Sequence, residues 1–248
     1  MNPIEAAALV LAGFGGGLCG SLAGLASLVS YPALLAVGAP PITANATNTV
    51  SLVFNGLGYV IGSRPELRSR AARVRRLAPA AALGGTAGAV ALLLTPGNTF
   101  SRIVPYLIGL SGLLILVPAR TRGAPFDMDR DPLWLRPIVF AIACYGGYFG
   151  AAAGVLLLAA LLATGEPSLA NANATKTILL WLANLVAAVI FVAKGEIDWA
   201  AAVPLALGFL AAGRLGPVLV RRLPARPLRV AIGLSALGLA IALWLEGR

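Results

Sequence analysis

The sequence predicts an all-α polytopic membrane protein of two inverted repeats, each a glycine-broken re-entrant hairpin followed by three transmembrane helices. Three observations lead there. The 248 residues are 59% hydrophobic and only 11% charged, with mean hydropathy +0.88, where soluble domains carry about 25% charged residues. Residues 6–63 and 137–165 hold no charged side chain, and a soluble core of this size cannot cover runs that long. The chain also repeats itself: Gly16-Gly17-Leu18-Cys19-Gly20-Ser21-Leu22-Ala23-Gly24 aligns with Gly146-Gly147-Tyr148-Phe149-Gly150-Ala151-Ala152-Ala153-Gly154, and Ala44-Asn45-Ala46-Thr47-Asn48-Thr49 with Ala172-Asn173-Ala174-Thr175-Lys176-Thr177.

Repeat 1 covers 1–126 and repeat 2 covers 127–248, in one integral membrane domain. Ordinary spans are predicted at 43–62, 77–97 and 101–119, and at 170–193, 199–219 and 227–245. Each approaches the roughly 20 residues that cross about 30 Å of hydrocarbon. Segments 4–38 and 137–164 do not fit that template. The first is interrupted by Gly13, Gly15, Gly16, Gly17 and Gly20, the second by Gly146, Gly147, Gly150 and Gly154. As hairpins they would return to the face they left and put their glycine turns near the bilayer midplane, where irregular backbone must line a cavity or be buried in protein.

Charge favours hairpins. With both segments re-entrant, loops 63–76, 120–136 and 221–229 lie inside with six, four and four basic residues, while Arg102, Lys194 and Arg248 lie outside. The ratio is 14:3; if both segments cross it falls to 12:5, so the positive-inside rule prefers the hairpins. Three spans per repeat then turn the second copy upside down. The alternative is eight full spans in two parallel repeats of four.

The net charge of +10 does not imply a nucleic-acid partner, because the arginines sit in short loops between apolar runs, beside lipid headgroups. Met1-Asn2-Pro3-Ile4-Glu5 lacks a basic leader pattern, so the first apolar segment is read as retained. Cys19 and Cys144 read as packing thiols, and with no histidine most metal and triad chemistry is unavailable, so neither an enzyme nor a cofactor is expected.

Pro40-Pro41-Ile42-Thr43 and Pro167-Ser168 mark helix beginnings just before the repeated Asn/Thr runs. Helix N-termini favour anions. Asn45, Thr47, Asn48, Asn173 and Thr175 add neutral hydrogen-bonding groups, and Lys176 a full positive charge. Gly16, Gly20, Gly147 and Gly150 are the glycines assigned to the same site, and the bland reading is that they only allow close helix packing. Asn55 and Asn184 lie about two turns further along; Arg214 either lines the pathway or snorkels to the interface. Trp181, Tyr145 and Tyr148 are candidate cavity walls. All nine acidic residues fall in loops or at ends, so cations lack a counter-charge in the membrane. A membrane potential negative inside drives anions outward by about 2.3 kcal/mol per charge per 100 mV. The expected function is anion export by alternating access, with an anion channel or a membrane-embedded non-transport protein as alternatives.

These residues resemble the sulfite exporter TauE/SafE family. The likeness runs through the glycine-rich first segment, Pro32, Leu34 to Gly38, Pro40-Pro41 and Ala46-Thr47-Asn48 with Asn55, then Gly146 to Gly154 and Ala172 to Lys176. Leu18-Cys19 and Phe149 depart from it. The resemblance implies a multi-pass protein of the cell (plasma or inner) membrane that moves sulfite, thiosulfate, sulfoacetate or another organosulfonate; the sequence is compatible with an oligomer as with a monomer.

Overall fold

The computed structural model describes residues 1–116, 127, 130–220 and seven separate positions between 234 and 245. Stretch 221–229 lies outside the described residues, as does most of the span predicted at 227–245. Among the described residues there are nine helices and no strand: α1 (Pro3–Ala23), α2 (Ala26–Ala36), α3 (Pro41–Gly62), α4 (Arg64–Leu94), α5 (Gly97–Leu116), α6 (Leu135–Tyr148), α7 (Ala153–Ala163), α8 (Leu169–Lys194) and α9 (Trp199–Val220). Four of them, α1, α4, α8 and α9, contain stretches long and apolar enough to cross a membrane. Their outer faces carry exposed Leu11, Leu83, Val189 and Leu207, which suit lipid and not water.

The helix starts follow local rules. Asn2 and Glu5 form a reciprocal capping box at α1, Ser168 accepts from the Asn171 amide at α8, and Pro41 opens α3 without a side-chain cap. Gly195, at φ 76°, ends α8. The glycines of segment 4–38 act differently from the expectation. α1 runs unbroken through Gly13, Gly15, Gly16, Gly17 and Gly20, and stops only at Gly24, where φ is 78°. Those inner glycines let another helix approach: Gly13 meets the Leu205 carbonyl of α9, and a Cβ on Gly17 would lie 2.5 Å from Ala212 of the same helix. In the second segment Gly146 and Gly147 are likewise inside α6, and the break falls at Phe149–Ala152, with Gly150 at φ 77° and Ala152 at φ 62°.

Both broken segments double back. Gly20 packs on Ala26, and Gly16 on the Ala26 carbonyl and Ser30, so α2 returns along α1. Arg73 bonds both Asp131, just before α6, and Thr164, just after α7, so the two ends of that segment meet. The arms are unequal. α1, with 21 residues, is about 31 Å long and α6, with 14, about 21 Å, whereas α2 and α7, with 11 each, are about 16 Å.

Close contacts also give directions. Gly13 beside Leu205 and Gly216 beside Ser21 set α1 and α9 running the same way. Gly84 against Phe140 and Gly88 against Cys144 do so for α4 and α6. Thr47 with Asp198 and Ser51 with Ala202 align α3 with α9. Glu166 with Arg70 and Ala183 with Gly85 align α8 with α4. α3 and α8 cross in opposite senses, Val53 meeting Trp181 and Tyr59 meeting Asn173. So α1, α3 and α9 point one way and α4, α6 and α8 the other.

Candidate functional site

Gly24 and Gly154 touch: a Cβ on Gly24 would lie 2.5 Å from the Gly154 carbonyl carbon. Only glycine permits that approach, because any side chain on either would collide with the other's backbone. Beside this contact is a cavity of about 70 Å³, halfway along α3 and α8. Its polar lining comes from both halves: Ser27 and Asn55 from one, Lys176, Thr177 and Asn184 from the other, with Trp181 as a wall. A smaller cavity of about 30 Å³ adjoins it and shares Ser27, Gly150 and Asn184.

Lys176 is 1% exposed. Its Nζ donates to Asn173 Oδ1 at 2.7 Å and to the Gly20 carbonyl at 3.2 Å. Both of these acceptors are neutral dipoles, and in a buried site such contacts are stronger than in water. Asn173 Nδ2 donates to the Ser21 carbonyl at 3.0 Å and to Tyr59 Oη at 2.8 Å. At the position matching Lys176, Asn48 accepts from Ser30 Oγ at 2.5 Å and donates to Ser27 Oγ at 3.1 Å. At the position matching Asn173, Asn45 donates to the Tyr148 carbonyl at 2.8 Å. Each of these two asparagines thus ties down the end of the other half's broken helix. Asn55 is 7% exposed, and its Oδ1 has no hydrogen-bond partner among the described residues.

A second polar centre lies where α4 begins. Arg70 binds Glu166 through two nitrogens at 2.8 and 2.9 Å, and Arg73 binds Asp131 at 2.8 Å and Glu166 at 3.4 Å. Arg76 reaches Asp131 at 3.0 Å. Glu166 is 2% exposed and Arg73 also 2%. Asp131 and Glu166, two of the nine acidic residues, lie in loops as expected but are ion-paired there with buried side chains, and their arginines belong to α4, which starts at Arg64 and not near residue 77. A sequence gives little warning of this, because the charges come together only after folding.

The family model described as sulfite exporter TauE/SafE matches residues 9–243. This chain belongs to the sulfite exporter TauE/SafE family. Three relatives are similar along most of their length. The "Probable membrane transporter protein YfcA" of Escherichia coli K12 is 26% identical, over 89% of this chain and 82% of its own. The "Probable membrane transporter protein ORF9" of Sinorhizobium sp. is 24% identical, over 95% and 90%. A "Probable membrane transporter protein" of Haemophilus influenzae is 26% identical, over 86% and 84%. No solved structure matches the chain.

In this TauE/SafE member the expected residues divide. Gly20, Asn55, Gly150, Lys176 and Asn184 line the cavity. Asn48, Asn173 and Asn45 stand behind it as ties. Thr47 accepts from the Asp198 amide at 3.1 Å, and Thr175 bonds the Asn171 carbonyl inside α8. Gly16 and Gly147 are packing positions, Gly147 against the Gly85 carbonyl. Arg214 is exposed on α9 and outside the cavity lining. Tyr145 is no wall: its hydroxyl donates to the Ala151 carbonyl at 2.6 Å and meets Ser111, fastening the second turn. Ser27, Gly24, Gly154 and Thr177 were missed as lining residues; the alignment of Gly24 with Gly154 was the signal that could have found the first contact.

Proposed function

We propose that this multi-pass membrane protein is a transporter that carries a small sulfur-containing anion, such as sulfite, thiosulfate, sulfoacetate or another organosulfonate, out of the cell by alternating access. The observation that carries the reading is Lys176: a buried ammonium beside a cavity at the contact of two broken helices. In a low-dielectric site such a charge attracts an anion far more strongly than in water. Thr177, Asn184 and Asn55 would supply uncharged contacts to its oxygens.

The two halves act as inverted copies around this cavity. Their counterparts α1 and α6, α3 and α8, and α4 and α9 run in opposite directions, which supports the reading. α1–α2 then opens to the outer face and α6–α7 to the inner, so the cavity can be reached from either side by moving one hairpin. Membrane potential supplies the outward drive for an anion.

The test is binding and flux with the full chain. Sulfite, thiosulfate, sulfate and methanesulfonate are screened by thermal shift, and the best is followed by efflux from liposomes. Lys176→Met is expected to weaken binding about 100-fold, or about 2.7 kcal/mol. Unchanged affinity in that variant, or flux of cations alone, overturns the reading. Labelling from one side that reaches both Lys194 and Arg68 overturns the inverted arrangement.

A further inference from the structure

Helix α4 sorts its side chains into two faces. Arg70, Arg73, Leu77, Ala81, Gly84 and Gly88 are buried, while Arg68, Ala72, Arg75, Pro79, Leu83 and Val90 are exposed. Steps of three and four residues keep each set on one side of a helix. The exposed stripe ends at Leu94, and its leucines and valine suit lipid. Arg75 lies about 28 Å along the axis from Leu94, close to the roughly 30 Å of hydrocarbon that a span crosses, and Arg68 about two turns further out. Neither arginine has an ion-pair partner among the described residues. The exposed side chains between them, Ser69, Ala71 and Ala72, are too short to cover a guanidinium. The neighbouring helix marks the same depth. Gly84 packs on Phe140 and Gly88 on Cys144, a constant offset that sets Trp134 level with Ala78 and Asp131 level with Arg75. Leu133 and Trp134 are both exposed there, and tryptophan favours the boundary between hydrocarbon and headgroups.

We propose that Arg68 and Arg75, beside Trp134, bind the headgroup of an anionic phospholipid whose acyl chains lie along Leu83 and Val90. Two features select that occupant: the face is continuous with the lipid-facing stripe, and its charge is complementary to a phosphate at the depth where phosphates lie. Guanidinium groups match phosphate oxygens in pairs. A zwitterionic lipid brings a cation together with its phosphate, so two arginines favour the lipid that lacks it. The sequence predicts this end of α4 on the inner face, where a negative surface potential adds to the attraction. The site is separate from the cavity and independent of the anion carried. Across the same turns of α4, Arg70 and Arg73 hold Glu166 and Asp131 at the open end of the α6–α7 hairpin. A lipid seated on the outer side therefore steadies the helix to which that hairpin is tied, and stabilises the fold by mass action.

The test is a lipid titration of the full chain in neutral detergent. Dioleoylphosphatidylglycerol and dioleoylphosphatidylcholine are added in turn, and bound lipid is counted by native mass spectrometry. The anionic lipid is expected to bind about 20-fold more tightly, about fivefold for each arginine, and the preference should shrink as salt is raised. Arg68→Gln with Arg75→Gln is expected to remove it. Arg102→Gln with Lys194→Gln takes two exposed charges from the far end of α4 and is expected to keep it. Equal loss in the two pairs reduces the effect to general charge attraction and overturns the site, as does equal affinity for the two lipids. Displacement of the lipid by excess inorganic phosphate assigns the arginines to a free anion, and a dimer that forms as lipid leaves assigns the face to a second copy; either result overturns the proposal. Should the double variant not fold, Arg75→Gln alone decides: a fall of about fivefold supports the site, and an unchanged preference overturns it.

Discussion

The α6–α7 hairpin is fastened at its open end by five charged side chains, Arg70, Arg73, Arg76, Asp131 and Glu166, and at its turn by the neutral groups of Tyr145, Ser111 and Asn45. The α1–α2 hairpin has the reverse arrangement. Its turn is held by a charge, Lys176, together with Asn173, and at its open end Glu5 bonds within its own capping box. The structures being tied are alike: two antiparallel helices joined at a glycine-containing turn. The difference lies in where charge is spent. Buried ion pairs with good geometry resist being parted, because each partner left alone in low dielectric is costly. The contact of Lys176 Nζ with the Gly20 carbonyl is one of charge with dipole, weaker than an ion pair of good geometry. So the α6–α7 hairpin reads as the more firmly held of the two.

The largest effect that can break this comparison is at Glu166. Glu166→Ala leaves Arg70 and Arg73 buried beside a missing carboxylate and is expected to cost about 3–5 kcal/mol in thermal unfolding. The matched change at the other open end, Glu5→Ala, should cost about 1 kcal/mol or less. Equal losses would dissolve the distinction. Asn45→Ala and Asn173→Ala come next. Each removes an amide from a buried carbonyl, so each should cost about 1–3 kcal/mol in stability. Only Asn173→Ala should also alter sulfite binding, since of the two it alone touches the lysine. Ser30→Ala removes one of two donors and acceptors around Asn48 and should cost about 1 kcal/mol, with flux retained. Arg214→Gln, on the exposed face of α9, should stay within about 0.5 kcal/mol and leave flux unchanged.

Much of the fold was legible because membrane spans are decided locally. The helix-start residues Pro167 and Ser168 and the apolar stretch up to Ala193 mark a span predicted at 170–193, and α8 covers Leu169–Lys194. The spans predicted at 43–62 and 199–219 differ from α3 and α9 by two residues or fewer at either end. α4 was read too short because seven of its first thirteen residues are charged, which reads as a loop. Arginine is in fact a good helix former, and three of these arginines find buried or half-buried carboxylate partners more than 50 residues away.

The cavity lining was legible in part: Lys176, Asn55 and Asn184 stand out in the sequence because polar residues in apolar runs need a reason, and all three line the cavity. The glycines misled: Gly13 and Gly17 meet other helices and do not bend their own. Helix packing and backbone breaking call for the same residue, and spacing alone does not separate them. Nor does a sequence tell that Asn45 and Asn173 reach across to the opposite half, since each partner is more than 100 residues distant.

The two thiols of this chain, Cys19 on α1 and Cys144 on α6, fall one to each hairpin, and both are free and only partly buried. Nature has therefore supplied a matched pair of attachment points, with no other thiol in the sequence to remove. A donor dye on one and an acceptor on the other would turn the distance between the two hairpins into an optical signal, read from single molecules at work.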